Sequence, residues 1–149
     1  MKTTTNTTIA LNNLIEICKD GQDGFRNAAE KVTNPELKTL FFEYSRQRSR
    51  FVGELQAAVT NLGEEPEKKS SVASAVHRGW LELKSAFTKG GDHPILVECE
   101  RGEDHAVEAY HTALAEELPA NIRELVITQS TAMQAAHNDV RARRDSAAV

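Results

Sequence analysis

Four stretches of this chain set apolar residues at alternating intervals of three and four, and no other feature limits its fold so strongly. An α-helix turns once in about 3.6 residues, so that spacing gathers the apolar side chains on one face and forces the face to be buried. The first stripe is Leu11, Leu14, Cys18, Gly21, Phe25, Ala28 and Val32, widened by Ile15 and Ala29. The second runs Leu37, Leu40, Phe41, Tyr44, Gln47/Arg48, Phe51, Leu55, Ala58 and Leu62. The third is Leu96, Cys99, Glu103, Ala106, Tyr110 and Ala113/Leu114; the fourth is Ile122, Leu125/Val126, Gln129, Met133, Ala136 and Val140. Aromatic residues make up only 5% of the chain while Ala, Leu, Glu and Arg are plentiful, a balance that favours helices over strands.

The breaks between stripes set the topology. Asn34 can cap a helix and Pro35 suits its first position, so Thr33-Asn34-Pro35-Glu36 is a tight turn that makes the first two helices antiparallel neighbours. Gly63 is a natural stop. A charged loop, Glu64 to Lys69, leads to Ser70-Ser71, which can cap a shorter helix through Val76, Trp80, Leu83 and Phe87 that Gly90-Gly91 ends. The third long helix begins near Asp92-His93-Pro94, and Leu118-Pro119 divides it from the fourth. Roughly 30 residues between the second and third long helices are enough for a crossover, which is the mark of ferritin-like bundles. The expected architecture is all-α: a ferritin-like four-helix bundle with an additional short helix in the crossover between helices 2 and 3. Residues 1–8 read as a flexible tail, 9–144 as the domain and 145–149 as a second tail.

Composition excludes several functions. With 18 Lys+Arg against 22 Asp+Glu the net charge is −4, and a mildly acidic surface repels phosphate backbones, so nucleic acid is not the expected partner. Arg141, Arg143 and Arg144 form a basic cluster that suits a helix C-terminus. No apolar run reaches membrane-spanning length and no secretory signal is visible at the start, so the expected location is cytoplasmic. Cys18 and Cys99 lie on apolar stripes, where free thiols act as small hydrophobes. Glycine-rich phosphate loops, nucleophile elbows and Cys–His motifs are missing.

Each seam has a polar interruption near its middle. The first has Gln22 beside Gly21, the second Gln47 and Arg48, the third Glu103 with Glu100 one turn before, the fourth Gln129. Helices of similar length meet at their midpoints, so these side chains are expected to share one layer. Buried without partners they would cost several kcal/mol. A carboxylate facing a guanidinium, completed by amides, is the internal solution. A di-iron bundle site instead takes a Glu from each of two helices and Glu-x-x-His from each of the others. The seams carry no such motif; the nearest approaches are Gln134-Ala-Ala-His137 and Gln47-x-x-Arg50, and arginine does not ligate metal.

At these residues the chain resembles a family. The run L-N-N-L-I-E-I-C-K-D-G-Q-D-G-F from Leu11 to Phe25, H-R-G-W from His77 to Trp80, and E-R-G-E-D from Glu100 to Asp104 resemble a bacterial group of ferritin-like four-helix-bundle proteins known as a domain of unknown function. The resemblance spans nearly all of the chain past residue 8. It implies a ferritin-like fold and no settled activity. On ferritin-like grounds Glu100 and Glu103 fall in the third-helix carboxylate region, and Gln129 and His137 in the fourth-helix region.

Other residues have plain roles. Trp80 is expected to anchor the crossover helix, the alternative being a surface or cleft site formed with His77 and Arg78. His105 and His111, with Glu108 between them, flank the third stripe, and His93 belongs to a helix start. Tyr44 and Tyr110 are seam residues whose hydroxyls seek a buried polar group, with Glu103 or Glu100 in reach of Tyr110. Gly21 and Gly24 are expected to permit close helix approach. The resulting functional expectation is a non-enzymatic bundle with no cofactor, a structural or interaction protein of a stress-associated kind, partnered by copies of itself or by another protein. The alternative is a metal-binding protein or oxidoreductase holding iron or manganese through Glu100, Glu103 and His137, with Asp20 or Glu43 as further donors. A third reading, a small-ligand module, needs a cavity at Gly21 and Gly24.

Overall fold

The structure, a computed structural model, describes residues 2–66, 80 and 83–147. These form helices α1 (Lys2–Lys31), α2 (Pro35–Asn61), α3 (Leu83–Thr88), α4 (His93–Leu114) and α5 (Ala120–Ala147), with no strand among the described residues. The four stripes become the inner faces of the four long helices. Leu11, Cys18, Phe25, Ala28, Leu55, Cys99, Tyr110, Val126, Met133 and Val140 are all buried.

Caps act where the sequence placed them. Asn34 Oδ1 accepts from the backbone N–H of Glu36 at 2.8 Å and of Leu37 at 3.3 Å, a cap of about 1 kcal/mol. Gly63 follows the end of α2 at φ +82°, a left-handed conformation that glycine adopts without strain. Asp92 does something other than cap α4. Its carboxylate accepts from the Thr33 N–H at 2.8 Å, the Asn34 N–H at 3.0 Å and the Thr33 hydroxyl at 3.1 Å, tying the α1–α2 turn to the start of α4.

Residue pairs fix the helix directions. Cys18 of α1 meets Tyr110 of α4, while Gly24 and Gly102 touch one indole, so numbers fall along α4 as they rise along α1. The same inverse order holds between α2 and α5 through Glu36–Arg143, Tyr44–Asp139 and Glu54–Gln129. Because α1 and α2 are antiparallel across their short turn, α2 and α4 run in the same direction. Leu62 and Asp92 therefore lie at opposite ends of α2, Asp92 beside its start. Of the short helix expected between them, Leu83–Thr88 is described and packs Leu83 and Ala86 into the core; Ser70, Ser71, Val76, His77 and Arg78 lie outside the described residues.

Two boundaries differ from expectation. Helix α1 starts at Lys2 rather than near Ile9, and Thr7, read as tail, is 1% exposed; extending a formed helix adds a hydrogen bond per residue without a new nucleus. Helix α5 runs to Ala147, past the expected end at residue 144, and Arg144 in its last turn is ion-paired to Glu100 and Asp145.

Gly21 and Gly24 make room for side chains rather than for a neighbouring backbone. A Cβ on Gly21 would lie 3.1 Å from an Arg48 guanidinium nitrogen. A Cβ on Gly24 would overlap the Trp80 indole, and so would one on Gly102 from the opposite helix. The indole is thus seated in a slot between two glycines, edge-on to Phe25 at a centroid distance of 5.2 Å. That seat supports the anchoring role expected of Trp80, while Gly102 was not singled out by its spacing. Gly24→Ala and Gly102→Ala are each expected to lower stability by about 1–3 kcal/mol through overpacking. Gly53→Ala, at an open helical position, raises it by roughly 0.5–1 kcal/mol; thermal denaturation of the three variants measures the contrast.

Candidate functional site

The core divides into two apolar clusters. One gathers Leu14, Cys18, Leu55, Tyr110, Val126 and Met133; the other gathers Phe25, Phe41, Leu96, Cys99 and Val140. Along every long helix the boundary between them falls near the same level, and there Arg48 meets Glu103. The guanidinium donates from both terminal nitrogens, Nη1 to Oε1 at 2.5 Å and Nη2 to Oε2 at 2.7 Å. Arg48 is 1% exposed and Glu103 0%, so the pair has no water to fall back on.

The surroundings complete the guanidinium. Its Nε donates to Gln47 Oε1 at 3.2 Å. Its carbon lies 5.2 Å from the Phe25 ring centroid, a cation–π contact. Burial works against the charge of Arg48, yet the facing Glu103 carboxylate outweighs it and pushes the pKa up. A two-point, charge-assisted contact of this kind is the strongest hydrogen-bonded arrangement the residue types allow.

Not every expected member joins this layer. Gln22 contributes its backbone, the carbonyl accepting from the Ser45 hydroxyl at 2.8 Å. Gln129 is fully buried but two turns away, within the first apolar cluster. There its amide nitrogen donates to Glu54 Oε1 at 2.9 Å, and its carbonyl accepts from the Tyr110 hydroxyl at 2.7 Å. With the Tyr110 proton spent on Gln129, the Cys18 thiol is the donor in its 3.1 Å contact with the Tyr110 oxygen. The interior thus has two polar levels instead of the one expected, because helical register places Gln129 level with Tyr110 and not with Glu103. Tyr110 accordingly engages an amide and a thiol rather than Glu103 or Glu100. Tyr44 donates to Asp139 at 2.7 Å, and burial followed by that contact pushes its pKa up.

The alternative metal set divides as well. Glu103 is committed to Arg48, while Glu100 and His137 come together with Asp104, a residue that sequence spacing left out. The signal was present, since Asp104 follows Glu100 by four positions and so shares its helix face. Neither Asp20 nor Glu43 belongs to that group. A Glu-x-x-His spacing does occur off the seams, at Glu108-Ala-Tyr-His111, and both of its end residues are exposed. The basic cluster at the end of α5 is ion-paired: Arg141 and Arg144 to Glu100, Arg143 to Glu36 and Asp139. They join helices rather than only complementing the α5 dipole. Cys18 and Cys99 are free and buried. No described helix is long and apolar enough to cross a membrane.

The family described as Domain of unknown function (DUF2383) matches residues 6–116, about three-quarters of the chain and all of the Arg48–Glu103 level except α5. Comparison with curated proteins finds no match.

Two outcomes follow from the buried groups. Arg48→Met strands the Glu103 carboxylate and is expected to cost about 3–5 kcal/mol, while the double variant Arg48→Met with Glu103→Leu recovers most of the loss; urea denaturation measures both. The Cys18 thiol is pushed by burial from 9.0 up to about 11, against the opposing pull of the Tyr110 contact and Arg48. Because the folded value is the higher one, this group's stabilisation is whole below pH 9.0 and is lost as pH rises toward about 11. Burial acts in the same direction on Cys99 and Tyr110. Melting temperature should therefore fall across that alkaline window, and less steeply in Cys18→Ala.

Proposed function

This chain belongs to the family described as Domain of unknown function (DUF2383), and we propose that it is a non-enzymatic, ferritin-like helical bundle acting as a structural or interaction protein. One observation carries the reading: both carboxylate oxygens of Glu103 are bound by both terminal nitrogens of Arg48 at the bundle's middle. A di-iron centre needs several carboxylates and imidazoles converging on that level. Here a guanidinium, which cannot ligate a metal, fills the space and neutralises the charge. The ferritin-like part of the reading is supported by helix order, since one long connection separates α2 from α4 and the two run in the same direction.

Action through association is the remaining part. A groove of about 590 Å³ lies between α1 and α4, lined in part by Ile9, Ile17, Ala109 and Thr112, and Ile9 is 55% exposed. The partner proposed is another copy of the chain or a second protein. Oxygen uptake after anaerobic loading with ferrous iron tests the central claim. The expected rate is no faster than that of iron in buffer, and light scattering at micromolar concentration is expected to give a mass above one chain. Rapid iron oxidation that disappears in Glu103→Gln overturns the reading.

A further inference from the structure

A second group of side chains stands on the flank between α4 and α5, apart from the mid-bundle pair. Glu100 and Asp104 are one turn apart on α4, so their carboxylates leave the helix on the same side. His137 meets them from α5, and one donor atom from each residue lies within 4.8 Å of the other two. Glu100 and His137 are buried, whereas Asp104 opens to solvent.

That convergence of three donors carries the inference, and the His137 hydrogen bonds set which ring nitrogen faces it. The Gln134 amide nitrogen donates to Asn138 Oδ1 at 3.0 Å, which makes that oxygen an acceptor. His137 Nδ1 lies 3.3 Å from the same oxygen, a favourable contact only if Nδ1 carries the hydrogen. In the neutral ring Nε2 is then a bare lone pair. Nε2 nevertheless faces a carboxylate oxygen of Asp104 in close contact, and the Glu100 carboxylate stands beside them. A proton on Nε2 closes that gap, and so does a metal ion between the two atoms; three donors converging on one point favour the metal.

We propose that this metal is a divalent first-row transition ion held by Glu100, Asp104 and Nε2 of His137. One imidazole and two carboxylates suit zinc, manganese or iron(II), whereas magnesium and calcium prefer oxygen alone. Asn138 is the outer partner that fixes the ring's tautomer and orientation. Two tethered cations compete for the same carboxylate: Arg141 Nε lies 3.4 Å from Glu100 Oε1, and Arg144 is in close contact with Oε2. Metal binding therefore trades against the ion pairs that fasten the last turns of α5. The site shares no donor with the Arg48–Glu103 pair, so it does not conflict with a metal-free bundle centre.

Calorimetric titration of the untagged, chelator-stripped chain with Zn²⁺, Mn²⁺ and Mg²⁺ tests the proposal. A single zinc per chain is expected, with manganese weaker, following the Irving–Williams order, and no measurable heat from magnesium. Asp104→Asn and His137→Asn should each weaken zinc binding by about tenfold or more, and Arg144→Gln should tighten it by removing a competitor. The Asp104 side chain is 60% exposed, so its substitution leaves folding intact, which circular dichroism checks. Absence of zinc binding overturns the proposal, leaving a proton as the bridging cation. Zinc binding indifferent to both substitutions overturns it too. Zinc retained in His137→Asn but lost in Glu103→Gln would place the ion at the bundle centre and sink the proposed function along with it.

Discussion

A guanidinium and a carboxylate with no access to water set the terms for the rest of this molecule. Each ion on its own costs several kcal/mol to bury, and their attraction offsets that only if geometry and remaining hydrogen bonds are satisfied together. The consequences reach three helices. Gln47 supplies the acceptor for Nε, Phe25 presents its ring to the guanidinium, and Gly21 leaves the space the side chain crosses. The apolar core is interrupted at this level and resumes on either side as two clusters.

Phe25 links that pair to the long connection. Its ring contacts Arg48, Phe41, Tyr44 and Trp80, and Trp80 is seated by glycines on α1 and α4. The single tryptophan therefore closes the side of the bundle nearest the buried charges. Across the molecule, polar pairs join α2 and α5 beside the shared apolar core: Tyr44–Asp139, Gln129–Glu54 and Arg143–Glu36. Such pairs demand particular partners at particular heights, which apolar contact does not, so they specify how these helices align even where each contributes little stability.

Much of this was legible in advance. The stripes named the inner faces, Asn34-Pro35 and Gly63 bounded α2, and a charge pair was the natural solution for Arg48 and Glu103 once they were seen as seam residues. Gln129 was legible as buried but not as belonging to a different level, since a shift of two turns leaves the heptad pattern unchanged. Asp104 was passed over because it lies off the stripe, although its spacing from Glu100 put it on one helix face. Gly102 gave no warning at all. Its role is to be absent where an indole from a distant segment arrives, and nothing local encodes that arrival.

Periodicity, caps and breakers act between residues a few positions apart, so the chain alone determined four amphipathic helices, their turns and the inward placement of Arg48, Glu103 and Gln129. Partner choice is a matter of relative height and rotation between helices far apart in sequence. Only the packed structure decided that Glu103 belongs to Arg48, Gln129 to Tyr110 and Glu54, and Glu100 to Asp104, His137 and the arginines of α5. A helix fixes the direction a side chain points from its own axis; what waits there depends on how the other helices slide and turn against it.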